Sequence, residues 1–329
     1  MSIWQKLKTQ SPILAMAPME GFTDSAMRQV VKTLVPEVLC YTEFTSADAI
    51  KYQSEKSKNK LYFVEAERPI IVQLFGKNIE NFIEAAKWVE SQGADGLDIN
   101  MGCPAKNVIA SEHGAAMIKN PDHAAELIST LSKHTKLPLS VKTRIGFDKK
   151  DLDHFLNFTD KLIQSGAQAI AVHGRTAKQG YTGEADWSFA YELKKRHPEI
   201  LILGNGDIKT GSQALEKIGN LNGVMVGRAT IGNPWIMREI KLSLQGKATP
   251  NAEINFIEKL PIINKHCELL VEIKGEKLAM LEIRKHLSAY IKGFDQAAHY
   301  RSELVRVESL KQVQAILTEI ENQFTQIQI

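Results

Sequence analysis

The chain has 329 residues, enough for one large barrel or two ordinary domains. Its 43% apolar and 24% charged composition is that of a globular protein with a core to bury, which excludes disorder and low complexity. The net charge is only +3, and residues 250–329 hold 10 Lys+Arg against 11 Asp+Glu, so charge alone announces no nucleic-acid partner.

In chain order, the start carries Lys6 and Lys8 without an apolar stretch, so no secretory signal is expected. Short runs rich in Val, Ile and Leu then predict eight strands, over 13–17, 38–42, 70–75, 96–100, 139–143, 169–173, 200–204 and 223–227. Apolar stripes at helical spacing predict helices between them, over 24–34, 79–91, 122–134, 152–165, 188–196 and 212–218, with Asp24 placed to cap the first. Runs without alternation are strands buried on both faces, the mark of a parallel sheet covered by helices. Eight such units predict an α/β fold, a (β/α)₈ TIM barrel over 1–245. No Gly-x-Gly-x-x-Gly follows the first strand, which weighs against a Rossmann domain. After Pro250 the strand-like runs stop. Stripes over 260–273, 276–293, 296–307 and 309–324 predict a C-terminal all-α helical bundle domain over 246–329, with the junction within 246–252. No apolar run approaches the roughly 18 residues of a membrane helix.

Three scattered cysteines without a Cys-x-x-Cys pair argue against a disulfide framework or structural zinc and fit a reducing cytoplasm. Cys40 and Cys267 fall in a strand and on a helix stripe, as packing residues do. Cys103 differs, because Asp98-Ile99-Asn100-Met101-Gly102-Cys103-Pro104 sets a thiol at the end of the fourth strand, where barrel enzymes place their sites. There it is either a nucleophile or acid, or a small buried side chain in a tight turn. Asn205-Gly206-Asp207 and Gly227-Arg228 follow the last two strands, the usual phosphate position of this architecture, unless they are ordinary turns. Lys142, Arg144, His173 and Arg175 sit at neighbouring strand ends and suit a multiply anionic ligand, the alternative being surface charge. Gln73, inside an otherwise apolar strand, either bonds a polar heterocycle or is a satisfied core amide. No metal site is expected, since His113, His123 and His134 lack ligand spacing.

Taken in order, Ala17-Pro18-Met19-Glu20-Gly21-Phe22-Thr23-Asp24, Val72-Gln73-Leu74, Asp98 to Lys106, Val141-Lys142-Thr143-Arg144, Val172-His173-Gly174-Arg175-Thr176, Gly204 to Asp207 and Val226-Gly227-Arg228 resemble the dihydrouridine synthases, FMN enzymes that reduce uridines in RNA. Ile283-Arg284-Lys285-His286-Leu287 with Tyr290 is similar to that family's C-terminal domain. The resemblance implies that Pro18, Met19 and Glu20 line the flavin, that Gln73 bonds its pyrimidine edge, and that Lys142 lies against its ring with His173 nearby. It implies a phosphate site at Asn205, Gly206, Asp207, Gly227 and Arg228. Asn100 would orient the uracil, and Cys103 would protonate C5 after hydride reaches C6. Lys106, Arg144 and Arg175 are RNA or flavin contacts in this reading, and the Arg284-Lys285-His286 face grips RNA. It further implies NADPH as reductant and tRNA as substrate, with ribosomal RNA left open. The cysteine usage points to a cytoplasmic location, and a self-contained core without an exposed apolar stripe to a monomer. Ser111-Glu112-His113 departs from the smaller or more basic residues expected after the cysteine. Two other readings stand beside it: an FMN oxidoreductase acting on a small pyrimidine or enone, and an RNA-binding module without catalysis.

Overall fold

The computed structural model describes residues 1–10, 12–247 and 255–327, so Pro250 and most of the expected 246–252 junction lie outside the described residues. The strands are β1 (Ile13–Met16), β2 (Cys40–Tyr41), β3 (Thr45–Ser46), β4 (Ile70–Phe75), β5 (Gly96–Met101), β6 (Leu139–Arg144), β7 (Ala169–His173), β8 (Leu201–Asn205) and β9 (Gly223–Val226). All pair in parallel, in the order β1-β9-β8-β7-β6-β5-β4-β2 with β3 also on β4. Leu39 joins the two ends: its N–H donates to the Leu14 carbonyl and its carbonyl accepts from the Met16 N–H, both at 2.9 Å. The expected barrel is therefore present, with one correction. The second stave, expected over 38–42, forms only the two residues of β2 there and resumes beyond that range as β3. Thr42 Oγ1 takes the Gln73 N–H at 3.1 Å, which removes a donor from the ladder at the break.

The barrel interior is sorted by height. Ala15, Leu39, Ile71, Ala171, Leu203 and Met225 fill its lower layers, and Trp4 and Leu7 of the short helix Ile3–Lys8 pack onto the same cluster. Higher up the inward positions turn polar, with Gln73, Asp98, Asn100, Ser140 and Lys142. The outer helices match the expected stripes within a residue or two. Asp24 caps Ser25–Leu34 by accepting from the Met27 N–H at 3.1 Å. The helix Ile236–Leu244, which the sequence reading did not contain, completes the last unit.

Four helices follow: Phe256–Lys274, Glu276–Tyr290, Ala297–Leu304 and Leu310–Ile327. The first begins earlier than expected, ahead of Pro261, because Asn255 caps it. Their shared core includes Ala26 and Trp235 from the barrel, so the helical unit is docked rather than tethered. Lys274 donates to Asp24 at 2.6 Å and to Glu282 at 2.5 Å, so the carboxylate that caps a barrel helix also clasps the helical unit. Among the described residues no helix is long and apolar enough to cross a membrane.

Candidate active site

The loops at the C-terminal ends of the strands enclose a cavity of about 1270 Å³. Of the residues singled out in the sequence, Pro18, Met19, Glu20, Asn100, Cys103, Lys142, Arg144, His173, Arg175, Asn205, Gly206, Asp207, Gly227 and Arg228 line it. Gln73, Lys106, Arg284 and Lys285 do not.

Cys103 sits at the end of β5 because its backbone is held there. Asn100 Oδ1 accepts the N–H groups of Gly102 at 3.1 Å and Cys103 at 2.9 Å, folding the chain back on itself. Gly102 packs on β6 so closely that an added Cβ would lie 3.3 Å from the Thr143 carbonyl carbon. Burial raises the Cys103 thiol above its ordinary range, so it carries its proton at neutral pH. Gln73 lies beneath the lining, fully buried: it donates to Asp98 at 2.7 Å and accepts from Asn100 at 2.9 Å. Both ends of the Gln73 amide are thereby bonded to side chains of β5. Strand register is the cause, since pairing sets Gln73 opposite Asp98, and Asp98 opposite Ser140, which donates to it at 2.6 Å.

The wall beside it, at the ends of β6 and β7, is cationic. Lys142 makes no hydrogen bond among the described residues, and burial, reinforced by Arg144, brings it down to about 8. The same burial, with Lys142 and three arginines around it, lowers His173 to about 2, so its imidazole is neutral. Arg144 and Arg175 are less available than the sequence implied. Arg144 donates to the carbonyls of Gly102 (2.9 Å), Thr176 (2.8 Å) and Gly180 (2.8 Å), leaving Nη2 for the cavity. Arg175 donates to Gly183 at 2.5 Å and to Asp207 at 2.7 Å. These arginines pin the loop after β7 over the mouth. Arg228 is freer: half-exposed, 4.5 Å over the Tyr181 ring and 3.3 Å from Asp207. Asp207 also accepts the Ala185 N–H at 2.8 Å, so its carboxylate aligns two guanidiniums and offers a phosphate nothing directly. Its neighbour Gly206 has φ +125° and sits so close to Ala185 that an added Cβ would come within 2.6 Å.

Three contributors were not singled out in the sequence. Tyr181 is exposed on the rim between Arg228 and Arg144; it lies in a loop with no periodic pattern to mark it. Phe44 lines the opposite rim against Phe75. Asp98, read only as part of a motif, carries the buried hydrogen bonds beneath Asn100. Glu112 pairs with Lys77 at 2.6 Å at a turn with φ 60°, so its charge is answered outside the cavity.

Lys106 is exposed at the start of the short helix Lys106–Ala110. The expected Arg284-Lys285-His286 face is not one face, since successive helical residues point about 100° apart. Arg284 donates to the Val307 carbonyl at 2.7 Å, and His286 is buried against Phe22 and His266. Lys285 turns back to the barrel, 5.0 Å from the Phe22 ring centroid beside the mouth.

A cavity with a partly buried ammonium that has no protein partner among the described residues, a half-exposed guanidinium, close glycine backbone and an aromatic rim fits an anionic, flat-ringed group such as FMN. Comparison with known proteins gives the same direction. The family model described as dihydrouridine synthase matches residues 15–327. A probable tRNA-dihydrouridine synthase 1 of Synechocystis is 32% identical over 325 residues, covering 96% of this chain and 90% of its own. Probable tRNA-dihydrouridine synthases of Rhodobacter capsulatus and Staphylococcus aureus are 34% and 29% identical, covering 91% and 98% of this chain and 91% and 96% of their own.

Proposed function

Because the chain belongs to the dihydrouridine synthase family, we propose that it reduces the C5=C6 bond of specific tRNA uridines to 5,6-dihydrouridine, with FMN as cofactor and NADPH as reductant. Arg228 and the backbone at Gly206 and Gly227 would hold the FMN phosphate. Lys142 and the Pro18-Met19-Glu20 segment would take its ring. The chemistry FMN supplies when bound is hydride transfer, directed to C6 of the uracil.

The observation that carries the reading is the Cys103 thiol lining the same cavity as Lys142, partly buried so that its protonated form is favoured. C5 is conjugated to the C4 carbonyl, so hydride addition at C6 leaves an enolate that needs a proton at C5. Cys103 holds that proton on Sγ. Its ordinary pKa of about 8.5 already favours the thiol at neutral pH, and burial favours it further. The thiolate left behind regains a proton from solvent, which half-burial of the residue permits. His173, held neutral, adds no positive charge that would acidify the thiol.

The target base must leave its stack to reach this depth, so binding includes base flipping. Tyr181 offers the extruded base an aromatic surface, and Lys285, beside the mouth, offers the phosphate backbone a cation. Asn100 also lines this space.

Cys103→Ala separates the roles. The variant should keep its flavin, read by absorbance, while dihydrouridine measured by mass spectrometry falls by about a hundredfold or more, the size of a lost general acid. Wild-type turnover by Cys103→Ala would contradict the proposal.

A further inference from the structure

Beneath Cys103 runs a line of buried side chains whose two ends have fixed polarity. At the upper end, the backbone N–H groups of Gly102 and Cys103 can only donate, and both donate to Asn100 Oδ1. Asn100 must then turn its Nδ2 downward, where it donates to Gln73 Oε1 at 2.9 Å. Gln73 in turn donates through Nε2 to Asp98 Oδ2 at 2.7 Å. The other Asp98 oxygen accepts from Ser140 at 2.6 Å. An ionised carboxylate has acceptors and no donor, so it ends the line with the polarity the upper end requires.

We propose that Asp98 is a positioning residue for Cys103: it fixes the direction of the Gln73 and Asn100 amides, and through them the turn that carries the thiol. An amide flips at little intrinsic cost when both orientations find partners. Here they do not. With a donor in place of Asp98, Gln73 would turn over, Asn100 would follow, and an NH₂ group would face two backbone N–H groups. Asp98 and Gln73 have no exposed surface and Asn100 is 7% exposed, so water cannot repair such a mismatch. Burial lifts Asp98 to about 6, opposed by its hydrogen bonds from Ser140 and Gln73 and by the charge on Lys142, and it remains an acceptor at neutral pH.

The inference rests on the reading of Cys103 as proton donor, and the test keeps the two apart. Asp98→Ala removes charge and acceptor together. Asp98→Asn removes the charge but keeps an acceptor, because its Oδ1 can take the Gln73 N–H while its Nδ2 donates to Ser140. The expected result for Asp98→Ala is a loss of about tenfold or more in kcat, the cost of a thiol displaced by a fraction of an ångström, with KM for tRNA nearly unchanged. Asp98→Asn recovers most of that loss. The rate of Cys103 alkylation by iodoacetamide, read by mass spectrometry on protein without RNA, should change in Asp98→Ala and return in Asp98→Asn. If Asp98→Ala does not fold, Gln73→Leu cuts the same line one link higher and must show the same kcat loss and altered alkylation.

Equal losses in Asp98→Ala and Asp98→Asn would make the charge beside Lys142 the cause and overturn the inference. So would full activity and normal alkylation in Asp98→Ala. Turnover by Cys103→Ala would instead remove the proton-donor reading itself.

Discussion

Lys142 enters the cavity as a cation that burial has weakened, down to about 8 from 10.5. The sign of the consequence follows from that depression. The charged form is disfavoured in the folded protein, so its cost is fully present below pH 8 and is relieved as pH rises towards 10.5. Lys142→Met apoprotein should therefore melt higher than the parent at pH 7, by about 1–2 °C for each kcal/mol of relieved desolvation in a chain of this size. The same titration governs the ligand. FMN affinity should fall as pH rises through about 8, while Lys142→Met binds weakly at every pH between 7 and 9; fluorescence titration reads both. Parallel pH profiles would remove Lys142 from the flavin site. Cys103 and Asn100 were legible in the sequence because a thiol between Gly and Pro after a strand has few structural uses. The bonds of Gln73 were not, since its partners Asp98 and Asn100 sit on the neighbouring strand β5 and only the register brings them to it. The carbonyls that Arg144 and Arg175 bond were not legible either, because a loop without pattern leaves no trace of its backbone acceptors in side-chain chemistry.

At the scale of the elements, the phosphate-side loops depend on how tightly β8 is packed. A Cβ added at Gly204 would come within 1.8 Å of the Trp187 ring, whose Nε1 donates to the Gly206 carbonyl at 3.1 Å. Gly204→Ala must push that ring aside and the Gly206 loop with it. Overpacking of this kind costs about 1–3 kcal/mol, so the variant should lose several degrees of melting temperature and hold FMN less firmly. A variant with unchanged flavin occupancy would show that the loop does not depend on Trp187. Eight staves were readable because strands buried on both faces leave uninterrupted apolar runs. The division of the second stave was not, because it arises from one Thr42 side chain competing for the Gln73 N–H. Ile236–Leu244 escaped notice as nine residues following a Gly-Asn-Pro turn, too short to build a convincing stripe.

For the whole molecule, the arrangement that matters is the helical unit seated beside the mouth. The sequence announced its helices but not their seat, which depends on Asp24 meeting Lys274 and on Gly232 meeting Ala289, 57 positions further along the chain. Gly232 has φ +66°, and an added Cβ would lie 2.4 Å from the Ala289 carbonyl carbon. Gly232→Ala should shift the helical unit, weaken tRNA binding by about tenfold (about 1.4 kcal/mol) and leave FMN binding intact. Unchanged tRNA affinity would mean that this contact does not position the RNA-binding surface. The central claim, that this cavity reduces uridine in tRNA, is tested most directly by mass spectrometry of nucleosides from unmodified tRNA incubated with the protein, FMN and NADPH. The expected product is uridine heavier by two hydrogens, dependent on NADPH. Unaltered uridine, with flavin bound and reduced normally, would contradict it.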